Sequence, residues 1–353
     1  MTDAINRALP CRRQAELISA LKALKSVKAA PDLAKDIRDF LIQMAASGLN
    51  GQAMTRLISA FNDELSARII ELVAAGHRLP PVDWCWLGLG SEGRQEQTFV
   101  SDQDNGLIFN ASDAREAEAL RSIFLPFAQE VNQRLADCGF KLCSGEIMAG
   151  NPAWCLSYDE WRQQFIDWVR RPEPTALLNA SIFFDLQPLY GQRELGEKLR
   201  TLLLSMTMDT PSFLHLMAAN ALQAEVPLNF RGEVIAEKGE LLDLKKYGSR
   251  IFVDAARIFA LATGGRSVQS ADRLNEAAHS VGLTVEEITA VNAGFSHILR
   301  LRLDQQLADI AAEKGDRYTL DIATLHSIDK AILRESLKQA RRLQLRLKLN
   351  YAL

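Results

Sequence analysis

The residues best suited to chemistry follow a short apolar run at residues 84–89, which is typical of a buried strand. The run stops at Gly90-Ser91, where the backbone can turn sharply and approach a ligand closely. Asp102 and Asp104 come soon afterwards, and two carboxylates at i and i+2 on a strand point to the same face. Backbone N–H groups at a glycine turn suit phosphate oxygens, and paired carboxylates suit Mg²⁺. A phosphate cradle beside a metal pair indicates a site for phosphoryl transfer.

Two side chains around the glycine turn have roles that the residue types suggest. Ser91 is expected to bind a phosphate through its hydroxyl and N–H; no base stands at a suggestive spacing to make it a nucleophile. Arg94 is the natural counter-charge for a triphosphate, because guanidinium is bidentate and always protonated. The alternative for Arg94 is a structural ion pair with Glu96 or Asp102. For the two aspartates the alternative is a pair of turn carboxylates ahead of a strand.

The stretch GSEGRQEQ at residues 90–97, followed by SDQDN at 101–105, resembles the polymerase-beta-like nucleotidyltransferases. Its particular form is similar to a bacterial branch often fused to CBS or cyclic-nucleotide-binding domains. That branch is related to the protein uridylyl- and adenylyltransferases of nitrogen control. The resemblance continues at residues 151–155, 183–186 and 242–245 and covers nearly the whole chain.

This resemblance implies a Mg²⁺-dependent enzyme that moves a nucleoside monophosphate from a triphosphate to an acceptor hydroxyl and releases pyrophosphate. Two Mg²⁺ ions would be held by Asp102 and Asp104. By analogy with nitrogen control, the acceptor would be a protein. The alternatives are a non-catalytic nucleotide-binding protein of regulation or signal transduction, and a transferase that modifies small molecules.

The family also uses a third carboxylate as a base or a shared metal ligand. Asp185 is preferred, because the apolar run at 182–184 fits a third strand that would deliver it to an exposed edge, although the run alone does not distinguish a strand from a buried helix. Glu146 is the rival, although its glycine-flanked stretch looks more like a loop. The resemblance places Gly90, Ser91, Arg94 and Lys245 around the nucleotide; for Lys245 the alternative is an ordinary surface lysine.

The pattern of helices and strands that must position these residues predicts a helix-rich α+β protein in three parts. Residues 1–79 are predicted as a helical region, 80–203 as the catalytic domain, and 204–353 as an all-helical, substrate-binding domain. We expect no sensor module ahead of the first region. Strands are predicted at 84–89, 105–109 and 141–143, a helix at 113–138, and a polar segment of helical propensity at 94–98.

Composition excludes several classes of protein. A chain of 353 residues with 48% hydrophobic and 24% charged residues is ordinary for a soluble protein of more than one domain. The net charge of −3 disfavours a nucleic-acid-binding role. Five cysteines without a CxxC pair indicate reduced thiols, and no signal peptide or membrane span is recognised. We therefore expect a cytoplasmic protein.

Overall fold

The computed structural model describes residues 2–236, 241–312 and 319–353, with side chains from Arg12 onward. The protein is helix-rich α+β, as predicted. The helices are α1 (Thr2–Ala23), α2 (Ala30–Ala46), α3 (Gly51–Ala74), α4 (Gly90–Gly93), α5 (Ala114–Asp137), α6 (Tyr158–Arg170), α7 (Pro174–Phe183), α8 (Arg193–Met208), α9 (Pro211–Ala221), α10 (Arg250–Thr263), α11 (Ser270–Ala277), α12 (Val285–Ala311) and α13 (Ser327–Tyr351). Within the described ranges, no helix is both long and apolar enough to cross a membrane.

Among the described residues, six strands form two small sheets. They are β1 (Trp84–Gly88), β2 (Asn105–Phe109), β3 (Cys155–Ser157), β4 (Gln187–Gly191), β5 (Leu241–Asp243) and β6 (Thr319–Asp321). The larger sheet has the order β3-β2-β1-β4; β1 is antiparallel to both of its neighbours, and β2 is parallel to β3. Strands β5 and β6 form an antiparallel pair. The two strands beside the glycine turn therefore occupy the centre of the larger sheet.

The chain divides into two compact units. The first comprises residues 1–49, 54–164 and 186–200, and the second comprises 50–53, 165–185 and 201–353. The predicted limits 1–79, 80–203 and 204–353 stay a prediction. In the first unit, α1, α2 and most of α3 belong with the larger sheet. The glycine turn and the acidic pair lie in this unit.

The core of the first unit explains the position of β1 and β2. Residues Cys85, Trp86 and Leu87 of β1 are buried, and β2 is buried along its whole length. Helix α5 buries Phe124, Phe127 and Val131 on its apolar face. Two central strands buried in this way provide a rigid base for the loops at their ends.

Three local predictions are wrong. Residues 141–143 do not form the third strand; only an isolated bridge joins Lys141 to Asp102, and β3 follows later. Residues 94–98 are turn and loop, since the helical turn occurs earlier, at Gly90–Gly93. The C-terminal region is not all helix, because β5 and β6 lie within it. In each case a short segment lacks the length at which periodicity distinguishes strand from helix.

Candidate active site

The glycine turn follows β1 directly and forms the single helical turn α4. Gly90 has a φ of +55°, a left-handed conformation that favours glycine. The N–H groups of Gly90, Ser91 and Glu92 are in the first turn of α4, so they have no acceptor within the helix. Among the described residues, the structure shows no hydrogen-bond partner for the Ser91 hydroxyl. The turn thus presents donors of the kind that bind phosphate oxygens.

The carboxylate of Asp104 lies against this turn. A Cβ atom built on Gly90 would be 2.9 Å from Asp104 Oδ2. The N–H of Leu89 donates to the carbonyl of Asp104 at 2.8 Å and continues the pairing of β1 with β2 beyond the strand ends. The structure therefore brings the glycine turn and one acid of the pair into direct contact.

Replacing Gly90 by alanine is expected to weaken metal-dependent nucleotide binding by tenfold or more. The added methyl group would displace the Asp104 carboxylate, and the positive φ would cost a further ~1 kcal/mol of stability. Gly48→Ala is the matched control, because Gly48 has a φ of +87° but nothing within 4 Å of its added Cβ. Calorimetric titration of both variants checks the prediction; equal binding by the two would contradict it.

A buried network of three amide side chains holds the acidic segment in place. Gln103 Nε2 donates to the carbonyls of Asn132 and Phe140, at 3.0 and 3.1 Å. Asn132 Nδ2 donates to Gln103 Oε1 at 2.9 Å and to Asn105 Oδ1 at 3.0 Å. Asn105 Oδ1 also accepts from the N–H of Ala149 at 2.8 Å. These bonds satisfy Asn105 Oδ1 but leave Asn105 Nδ2 buried without a partner among the described residues. The bonds that do form hold the acidic segment in one arrangement.

The backbone of the acidic segment bonds alternately to opposite sides. The N–H groups of Gln103 and Asn105 donate to the carbonyls of Lys141 and Ile147, while the Asp104 carbonyl accepts from the opposite side. This alternation is that of an extended strand, in which neighbouring side chains point to opposite faces. Gln103 and Asn105 bond to α5, while the Asp104 carboxylate lies against the Gly90 turn. The expected common face of Asp102 and Asp104 stays a prediction.

Arg94 forms the ion pair that was its structural alternative. Its Nε donates to Glu96 Oε2 at 2.9 Å, and the two side chains are 12% and 7% exposed. The Glu96 N–H in turn donates to the carbonyl of Ser91 at 2.9 Å. Glu96 therefore links Arg94 to the turn.

Glu92 lies near both Asp104 and Asp63, and neither Glu92 nor Asp63 was a predicted site residue. Burial, followed by the charges of Asp63 and Asp104, raises the pKa of Glu92 well above its ordinary value. Burial and the neighbouring Glu64 raise the pKa of Asp63 to about 7, against the opposing effect of Arg193. Clustered carboxylates repel one another, and a cation relieves that repulsion. Protonation of one carboxyl group, which the raised pKa values of Glu92 and Asp63 describe, relieves the same repulsion.

Asp63→Asn is expected to stabilise the protein above pH 7 by between about 1 and 4 kcal/mol, since one pKa unit corresponds to about 1.4 kcal/mol. The folded protein keeps a proton on Asp63 between pH 3.8 and about 7 that the unfolded chain has lost. Stability is therefore lost as the pH rises through that range, and the variant is expected to lose less.

Urea unfolding at pH 5, 6, 7 and 8 measures this difference. Asp39→Asn, which removes an exposed carboxylate from α2, is the control and should follow the wild type. A variant that is less stable than the wild type at pH 8 would contradict the assignment.

Asp185 lies in the second unit, and its surroundings favour a structural role over that of a third metal ligand. It is completely buried, and Arg257 donates to its Oδ2 at 3.0 and 2.6 Å while Arg273 donates to its Oδ1. Burial would lower the pKa of Arg257, but Asp185 and Asp254 together raise it. The prediction of a strand that ends in an exposed acid is wrong: the apolar run closes α7, and Asp185 follows it into the core.

The other two predicted residues are both exposed. Glu146 lies in a loop, as expected, with a φ of +55°. Lys245 lies in the second unit and begins a π-helical turn, Lys245–Ser249, whose Lys246 N–H is capped by Asp243. Such turns are frequent at functional sites. The nucleotide-binding role of Lys245 stays a prediction.

Two family models match the chain, one on each side of residue 200. Residues 35–175, which contain the glycine turn and the acidic pair, match the family described as Putative nucleotidyltransferase DUF294. The chain belongs to this nucleotidyltransferase family. Residues 211–351 match the description Putative nucleotidyltransferase substrate binding domain, and they contain Lys245. The comparison with curated proteins found no match.

In this family member, some of the residues that sequence reasoning missed lie within the motif, and others lie far from it along the chain. Gln103 and Asn105 alternate with the two aspartates, so strand periodicity was a signal for a buried supporting face. Glu92 stands inside the glycine turn, where its burial was not visible in the sequence. Asp63 and Asn132 lie on α3 and α5, far along the chain, and no local pattern could have connected them to the site.

Proposed function

We propose that the protein is a Mg²⁺-dependent nucleotidyltransferase. It transfers a nucleoside monophosphate from a nucleoside triphosphate to an acceptor hydroxyl and releases pyrophosphate. The observation that carries the proposal is the contact of Asp104 Oδ2 with the Gly90 turn. A metal ion on this carboxylate and phosphates on the turn would be neighbours, which is the geometry that phosphoryl transfer requires.

The donor set fits Mg²⁺. Within the described part of the chain, no group of three His, Cys, Asp or Glu residues is arranged to hold a metal by itself. Mg²⁺ is usually bound by one or two carboxylates, with water and substrate phosphates completing the octahedron. Asp102 and Asp104 would supply those carboxylates. The bound metal would stabilise the charge on the attacking and leaving oxygens.

The chain's own groups would bind and orient the triphosphate. The N–H groups at the start of α4 and the Ser91 hydroxyl would donate to its phosphate oxygens. Arg94, aligned by Glu96, would neutralise the charge that accumulates as pyrophosphate leaves.

We further propose that the acceptor is a side-chain hydroxyl of another protein. The relation to the nitrogen-control transferases supports this acceptor class, and it is an analogy of fold and motif. Incubation with each of four labelled nucleoside triphosphates and a cell lysate tests it. A labelled protein band that disappears with Asp104→Asn is the expected result; label that appears only on small molecules would point to a small-molecule transferase.

A second candidate function is a non-catalytic nucleotide-binding regulator. Two observations favour it. Within the described ranges, no three residues are arranged to hold a metal ion, and the Asp185 carboxylate is paired with two arginines. Tight nucleotide binding without pyrophosphate formation, across all four nucleotides and a complete lysate, would establish it over the enzyme.

A further inference from the structure

A cavity of about 260 Å³ opens in the first unit, and its lining includes neither the glycine turn nor the acidic pair. Its walls come from four segments: helix α2, helix α3, the turn at residues 98–101, and residues 137–140 at the end of α5. Clefts of this general size bind small molecules in proteins, when an apolar lining is combined with a few placed polar groups.

The lining has that combination. Apolar side chains of α2, α3 and the adjoining turns form most of it, among them Leu41, Ile58, Phe99 and Phe140. Asn62, Thr98 and Ser101 add hydrogen-bonding groups. A ligand with an apolar body would therefore be buried here, with its polar end directed by charge.

The charge at the cavity is positive on one side. Lys35 and Arg38 of α2 line it, three residues apart and hence on one helix face. Within the described chain, neither has an ion-pair partner. Asp137 is the acid in the lining, and it is already bonded to Arg134 at 3.4 Å and to Gln133 at 3.1 Å. The two free cations leave a net attraction for an anion.

We propose that this cavity is an effector site for a small carboxylate with an aliphatic or aromatic body. Arg38 binds the carboxylate through its planar fork of donors, and Lys35 adds a second positive charge. The apolar part of the ligand lies between α2, α3 and Phe99. The site is distinct from the proposed phosphoryl-transfer site, and only its coupling to metal binding rests on that proposal.

The coupling follows from hydrogen bonds in the cavity walls. Ser101 Oγ accepts from the Thr98 N–H at 2.9 Å and closes the turn that leads directly into Asp102. The other wall includes Phe140, whose carbonyl accepts from Gln103 Nε2 at 3.1 Å. Asn62 Nδ2 donates to Gln97 Oε1 at 3.1 Å, so α3 is tied to the same loop. A ligand that orders these walls also orders the segment that carries the two aspartates.

Binding is tested on the full chain with 4-fluorophenylacetate, followed by ¹⁹F NMR. Saturable binding is expected, with at least tenfold weaker binding of the uncharged 4-fluorophenylacetamide. Arg38→Gln is expected to reduce affinity by tenfold or more, Arg38→Lys by much less, and Lys25→Gln, an exposed charge outside the cavity, not at all. Arg38 is partly exposed on α2, so its variants should fold, and thermal unfolding verifies this.

Several results would overturn the proposal. They are equal affinity for the acid and the amide, unchanged affinity in Arg38→Gln, inorganic phosphate binding as tightly as the organic acid, or no saturable binding by either 4-fluorophenylacetate or hexanoate. Coupling is tested by the Mn²⁺ affinity with and without 4-fluorophenylacetate, where a change of severalfold is expected and no change refutes the effector role. Asp104→Asn should lose Mn²⁺ binding yet retain carboxylate binding, so the two proposals fail separately.

Discussion

Replacing Asp185 by alanine is expected to lower the free energy of unfolding by about 3–5 kcal/mol, as is typical when one partner of a buried ion pair is removed. The two arginines on its carboxylate are 3% and 4% exposed, and without Asp185 one or both of their charges would lack a counter-charge in the core. Urea unfolding of the wild type and the variant measures this loss of stability.

Asp159→Asn is the matched control for this experiment. Asp159 also pairs with an arginine, Arg162, at 3.3 Å, but the two side chains are 74% and 45% exposed. Exposed pairs of this kind contribute at most about 1 kcal/mol. If Asp185→Ala were as stable as this control but lost Mn²⁺ binding, Asp185 would be a metal ligand and the structural role assigned here would be wrong.

Asp104→Asn is expected to lower the rate of pyrophosphate formation by a hundredfold or more, which corresponds to about 3 kcal/mol of barrier. The amide cannot supply the negative charge that would hold Mg²⁺ against the phosphates on the Gly90 turn. Nucleotide binding should lose its dependence on Mg²⁺, and Asp102→Asn should have the same effect.

Stability separates this functional loss from unfolding. Because Asp104 raises the pKa of the buried Glu92, removing its charge relieves repulsion within the acid cluster. The variant should therefore be at least as stable as the wild type at pH 8, while Asp83→Asn, an exposed carboxylate at the start of β1, should retain full activity. A destabilised Asp104→Asn, or one with normal metal-dependent binding, would contradict the proposed site.

The parts of the site that could be predicted from the sequence are those that depend on local chain geometry. The strand at Trp84–Gly88 and the strand at Asn105–Phe109 were both predicted, because each is a short apolar run bounded by residues that favour turns. The need for glycine at position 90 followed from the same logic, and its positive φ confirms it. Antiparallel pairing of these strands then places the turn beside the acids without further information.

The third strand shows where local reasoning fails. Residues 141–143 and 155–157 are both short runs with β-prone residues, and only the second pairs with β2 along its length. Which segment pairs with β2 depends on where the chain re-enters the sheet after α5. It also depends on the buried hydrogen bond that the Ala149 N–H donates to Asn105 Oδ1. Those contacts join segments more than forty residues apart, so no window of sequence contains them.

The sequence by itself determined the family, the glycine turn and the acidic pair, because spacing along one short stretch carries that information. Only the tertiary structure decided the environment of each acid. Asp185 is neutralised by arginines 72 and 88 residues further on, whereas Asp63 lies close enough to the buried Glu92 to raise the pKa of Glu92. Desolvation and charge–charge repulsion depend on distances in space and not on separation along the chain. These two effects decide whether a carboxylate forms an ion pair in the core or is a candidate metal ligand.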